Sequence, residues 1–213
     1  VDDTITVEDA PPSGDDQQDR LHDATLALIA RWGVAKTSLA DVAKEAGCSR
    51  ATLYRAFPGG KRQLFATLTR RELRSAADSI IDAFETGDDL ADALTRALVV
   101  GARLVRDHDA AAFVLAHEPE LVLPYLGFGR VDRAFERATA TFGPTFATRL
   151  PADRVPWAVE WSVRVFISFV ATPDAGFDLT DATCTRGLIE RFLAPAFAAD
   201  VLDPTNPTHA IPA

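Results

Sequence analysis

The stretch Thr37–Phe65, TSLADVAKEAGCSRATLYRAFPGGKRQLF, decides how this chain is read. Either Thr37 or Ser38 can cap a helix start, and Ser38 with Asp41 makes a Ser-x-x-Asp variant of the capping box. Leu39, Val42, Ala43 and Ala46 then recur on one inward face. Gly47 stands in the position just past a helix end where glycine is favoured. After a very short turn, Ser49 can cap a second helix, Arg50–Phe57, with Leu53, Ala56 and Phe57 inside. Pro58-Gly59-Gly60 ends it, and Lys61 opens a longer helix that runs to about Phe84.

Two short helices joined by a tight turn containing glycine form the helix-turn-helix pattern. The second is roughly two turns long, too short to hold its shape alone, so the helices on either side must grip its apolar face. Ser49, Arg50, Ala51, Thr52, Tyr54 and Arg55 are left on the outside. A helix of this width fits the major groove of DNA, and its first residues reach base edges.

Charge agrees with a polyanion partner for this segment alone. The 213-residue chain has a formal net charge of −9, yet residues 20–74 carry eleven Lys/Arg against four Asp/Glu, a net of +7. Residues 1–19 carry −7 and residues 75–213 carry −9. A basic module between acidic ones points to nucleic acid as its partner. Hydrophobic content of 47% supports a sizeable core. No uninterrupted apolar run of ~18 residues is present, so no membrane span is expected. The acidic N-terminus lacks an apolar core region and does not read as a signal peptide. Two isolated cysteines, Cys48 and Cys184, fit a reducing cytoplasm better than a disulfide scaffold.

Working outward, residues 1–16 read as a disordered acidic arm and 201–213 as a Pro-rich tail. Residues 17–66 form the helix-turn-helix unit, with the fourth helix continuing to about 84 as a connector, and 67–200 form a second helical domain. Nearly everything between arm and tail suits helix, so the fold class is all-α. A first helix from Gln17 to Trp32 carries the stripe Leu21, Thr25, Leu28, Trp32 and stops at Gly33.

The set Thr37, LYRAF (Leu53–Phe57) and Lys61 resembles the DNA-binding region of TetR-family transcriptional regulators over about residues 20–68. The Pro-Gly-Gly turn departs slightly from the commoner form of that region. The resemblance implies roles. Thr37, Thr52, Tyr54 and Lys61 would contact phosphates, with Ser38 beside them. Ser49, Arg50 and Ala51 would lie nearest the bases, and Arg55 would touch either. Arg50 can donate two bonds to guanine O6 and N7. Lys61 would add a charge near a helix N-terminus, where anions are favoured.

The resemblance also implies a homodimer on a palindromic double-stranded DNA operator, formed by the last two helices, which are apolar on more than one face. Trp161, Val165, Ile189, Phe192 and Leu193 are the expected interface. Phe113, Tyr125, Phe128, Phe135 and Trp157, with His117, Glu160 and Arg164, are expected to line an apolar effector cavity. The stretch HEPELVLPYL (His117–Leu126) further resembles members of the family found beside alkane or fatty-acid oxidation genes, implying a fatty-acid or acyl-type effector. His117 with Glu118 lacks a third ligand, His108 being nine residues earlier, so no metal and no cofactor is expected.

The leading reading is thus a cytoplasmic, nucleoid-associated repressor released from DNA by a small hydrophobic effector. The alternatives are a drug-efflux regulator responding to a cationic or aromatic drug and an effector-free DNA-binding protein. No Gly-rich phosphate loop, HExxH or GxSxG pattern supports an enzyme.

Overall fold

The computed structural model describes residues 14–118, 121, 131–171 and 176–198. All regular elements among them are helical. They are α1 (Gly14–Lys36), α2 (Leu39–Glu45), α3 (Arg50–Ala56), α4 (Gly60–Glu85), α5 (Leu90–Asp107), α6 (Asp109–His117), α7 (Val131–Phe146), α8 (Val155–Ala171) and α9 (Ala182–Leu188). A π-helical stretch, Ile189–Leu193, leads from α9 into α10 (Ala194–Ala198).

Side chains written into the local sequence start half of these helices. Ser38, Ser49, Asp89, His108 and Asp181 each accept a backbone N–H from the first turn they precede. Gly47, with φ of 64°, makes the turn between α2 and α3 in a conformation that glycine adopts without strain. The first helix begins earlier than the sequence suggests. Gly14, Asp15 and Asp16, expected in the arm, form its first turn, where acidic groups favour the positive end of the helix dipole. Helical geometry breaks at Gly33, the expected stop, although one more turn follows to Lys36.

Two apolar cores result. The N-terminal core joins Leu21 and Leu28 of α1, Val42 and Ala43 of α2, Leu53 of α3, Phe57 and Leu64. The larger one joins Phe84, Leu94, Leu98, Phe146, Val159, Ile189, Leu193 and Phe197 among others. Phe84 and Phe146 stack at 4.8 Å. Arg149 covers Phe84 and donates to the carbonyl of Gly87 at 2.6 Å, helping to satisfy the end of α4. A third seam, Ile29 of α1, Leu68 of α4 and Ala110 of α6, joins the two parts. No described helix is long and apolar enough to cross a membrane.

Candidate nucleic-acid interface

The α3 helix presents the face that its sequence predicts. Leu53 is fully buried and Phe57, just past the helix, is 1% exposed, so both hold the element from behind. Ser49, Arg50, Ala51, Tyr54 and Arg55 are exposed, with Tyr54 at 52%, and Thr52 is half-buried. The hydroxyl of Ser49 accepts from Thr52 N at 3.1 Å and sits 2.8 Å from the Thr52 hydroxyl. Ser49 is therefore the cap as well as a surface residue. Ser38 is exposed at the start of α2; its hydroxyl accepts from Asp41 N at 3.2 Å and donates to the Asp41 carboxylate. The neighbouring Cys48 is half-buried against the N-terminal core, and burial pushes its thiol up, Arg20 opposing. That is a packing role.

Thr37 requires a correction. It is 1% exposed, and its hydroxyl donates to the carbonyl of Gly33 at 2.7 Å. The side chain expected on phosphate instead ties the chain before α2 to the glycine break in α1. Lys61 lies half-buried in the first turn of α4, its ammonium 5.3 Å from the Phe65 ring centre and donating to Val34 O at 2.9 Å. One of its three N–H bonds is committed to that carbonyl.

Among the described residues, those expected at the effector site fall into separate contacts. Phe113 and His117 stack on each other at 4.4 Å on α6, beside Gly33. Phe135 is buried on α7 beneath the Arg164 guanidinium, 4.4 Å from its ring centre, and Arg164 is paired with Glu160 at 2.6 Å. Trp157 packs edge-on against Phe197 at 4.9 Å, as part of the larger core. Ring content alone does not say which face a ring turns to. Tyr125 and Phe128 lie outside the described residues. An open groove of about 740 Å³ between α4, α5 and α9 is lined by Arg96, Arg103, Arg186, Asp92, Val99 and Val100 among others. Its charged walls differ from the expected apolar, aromatic lining.

The expected interface also divides. Trp161 is 45% and Phe192 63% exposed, while Val165 is half-buried. Ile189 is fully buried and Leu193 is 6% exposed, both within their own chain's core. The π-helical stretch adds a residue to its turn, so Phe192 faces out while its neighbours at 189 and 193 face in.

Glu118 was missed as a structural residue. It is 9% exposed at the end of α6, and its carboxylate accepts from Val34 N at 2.7 Å and Ala35 N at 3.0 Å. No local pattern announces a contact across more than eighty residues. The glycine stop at 33 is the only nearby hint.

Comparison with known proteins agrees with this geometry. The family profile described as "Bacterial regulatory proteins, tetR family" matches residues 21–68. An uncharacterized HTH-type transcriptional regulator of Mycobacterium tuberculosis is 32% identical over 182 residues, covering 83% of each chain. Among solved structures, the TetR family repressor AlkX from Dietzia sp., implicated in biodegradation of n-alkanes, superposes with a TM-score of 0.62 at 24% identity, covering 84% of this chain and 96% of that one. The fatty acid degradation regulator FadR from Bacillus halodurans gives 0.60 at 17% identity, covering 85% and 96%. The relatives are regulators of transcription, not enzymes. The helix-turn-helix geometry, the matched family region and the near full-length relative lead to one conclusion: this chain belongs to the TetR family of DNA-binding transcriptional regulators.

Proposed function

We propose that this regulator binds a palindromic operator as a homodimer and represses transcription until a small hydrophobic effector releases it. The observation that carries the DNA-reading part is the outward row Ser49, Arg50, Ala51, Tyr54 and Arg55 on a helix held from behind by Leu53. Arg50 supplies the bidentate donor for guanine, the Ala51 methyl suits apolar contact with thymine, and Arg55 reaches base or phosphate. Tyr54 and Thr52 offer hydroxyls to phosphates, Ser38 would do so by turning its O–H away from Asp41, and Lys61 adds a charge beside them.

The dimer is supported by the exposed Trp161 and Phe192 on the last helices, which a two-fold contact there would remove from water. Two-fold pairing would place two α3 helices on half-sites about one DNA turn apart. The hydrophobic effector class is supported by the likeness to AlkX, implicated in biodegradation of n-alkanes, and to FadR, a fatty acid degradation regulator. Coupling between effector and operator is reciprocal, so DNA weakens effector binding by the same factor. Footprinting upstream of the chain's own gene and its neighbours tests the reading, followed by titration with fatty acids and acyl thioesters. A protected palindrome released by these compounds is the expected outcome; protection that no hydrophobic compound disturbs contradicts the effector assignment.

A further inference from the structure

One peptide unit stands between the α6 end of the regulatory part and Lys61. The Val34–Ala35 peptide donates its N–H to Glu118 Oε1 at 3.0 Å and accepts from Lys61 Nζ at its C=O at 2.9 Å. The preceding amide, Val34 N–H, donates to Glu118 Oε2 at 2.7 Å. A carboxylate thus lies at the positive end of the peptide dipole and an ammonium at its negative end, and charge strengthens both bonds. Glu118 is 9% exposed, so little water competes for its carboxylate.

The approach is built into the backbone. Gly33 has φ of 82°, and a Cβ there would stand 2.7 Å from Glu118 Oε1 and 2.8 Å from Phe113 Cε1. On the far side, the Thr37 hydroxyl holds the Gly33 carbonyl at 2.7 Å, next to the cap of α2. The apolar seam of Ile29, Leu68 and Ala110 already joins α1, α4 and α6. What the buried carboxylate adds is direction: it fixes the orientation of the peptide whose oxygen holds Lys61.

We infer that Glu118 is a positioning residue for DNA binding, which sets the place of the Lys61 ammonium through the Val34–Ala35 peptide and makes that place depend on α6. This rests on the proposed phosphate contact of Lys61. A shift of α6 by an ångström lengthens both amide bonds beyond hydrogen-bonding range and frees the peptide to turn, so Lys61 loses its acceptor.

The test compares full-length wild type with Glu118→Gln, Glu118→Ala, Lys61→Ala and the double alanine variant. Hydrogen exchange at Val34 and Ala35 reads the carboxylate contact without DNA. Protection is expected to fall from wild type to Gln, which keeps one acceptor oxygen, and further in Ala. Titration of promoter DNA over a range of salt reads the consequence. Affinity of Glu118→Ala is expected to drop on the order of 5- to 150-fold, with a salt slope shallower by about one phosphate contact. Adding Lys61→Ala to Glu118→Ala then leaves the slope where it was.

Unprotected amides with wild-type affinity and slope overturn the inference. So does lost affinity at the wild-type slope with Lys61→Ala still removing its full share, the pattern of plain destabilisation. If Lys61→Ala alone leaves the slope unchanged, the inference also falls. A wild type that binds no promoter DNA overturns the DNA-binding reading itself, and with it this inference. Should the alanine variant fail to fold, the glutamine variant carries the same comparison.

Discussion

Gly33 and His22 show how much single residues decide near the joint between the two cores. Gly33 takes a backbone conformation that side chains rarely adopt, and a methyl group there would run into the Glu118 carboxylate and the Phe113 ring. Gly33→Ala is expected to destabilise the chain by roughly 1–3 kcal/mol, the usual scale for backbone strain of this kind; an unchanged denaturant midpoint would contradict that. His22 is 5% exposed, contacts the Thr67 hydroxyl through Nε2 at 3.2 Å and leaves Nδ1 without a hydrogen-bond partner. Burial, and then the Arg71 guanidinium, hold its protonation below the usual histidine range, against the carboxylates of Asp19, Asp23 and Glu72. Above the unfolded value near 6.5 both states are neutral. As pH falls through that value the unfolded chain takes up its proton first, so stability declines below it until the folded state protonates too. Urea melts at pH 7.5 and 5.5 should show the loss, and His22→Gln should reduce it. Equal pH dependence in the two proteins would assign it elsewhere.

Among the elements, α3 depends most on its neighbours. Seven residues form no stable helix alone, so Leu53 must fix it to α1 and α4. Leu53→Ala is expected to cost about 2–5 kcal/mol and to weaken DNA binding although the side chain faces away from DNA. Thermal melting together with DNA titration checks both effects. This element was legible because its determinants are local: the Ser49 cap, the Gly47 turn, the apolar spacing behind and the charged row in front all lie within one short stretch. The π-helical stretch was not legible. Periodicity marks 189, 192 and 193 as apolar alike, and only the added residue in the turn sends Phe192 outward while Ile189 and Leu193 go in. Likewise, the sequence marks Thr37 and Glu118 as polar but not as partners of Gly33 and Val34, because tertiary approach, not local pattern, creates those bonds. Of the described aromatic residues expected around an effector, Phe135 is buried and Phe113 and Trp157 are half-buried, each against different partners, which ring content in the sequence does not reveal.

For the whole molecule, charge separates by function. The net of +7 over residues 20–74 lies within a chain of −9 overall, so repulsion from DNA by the acidic remainder favours approach by the α3 face. The exposed Trp161 and Phe192 predict association through the opposite end of the chain. Replacing both by glutamate should convert a dimer into a monomer in light scattering and lower operator affinity, whereas an unaltered mass would place the interface elsewhere.

The central claim is that the α3 face reads DNA sequence, and Arg50 tests it most directly. Binding of wild type and Arg50→Ala should be measured on promoter DNA and on single-base variants of the protected site at fixed salt. The predicted result is a loss of about 1–3 kcal/mol on the cognate site with discrimination erased at one base pair per half-site. Equal affinity and unchanged discrimination in the two proteins would contradict it.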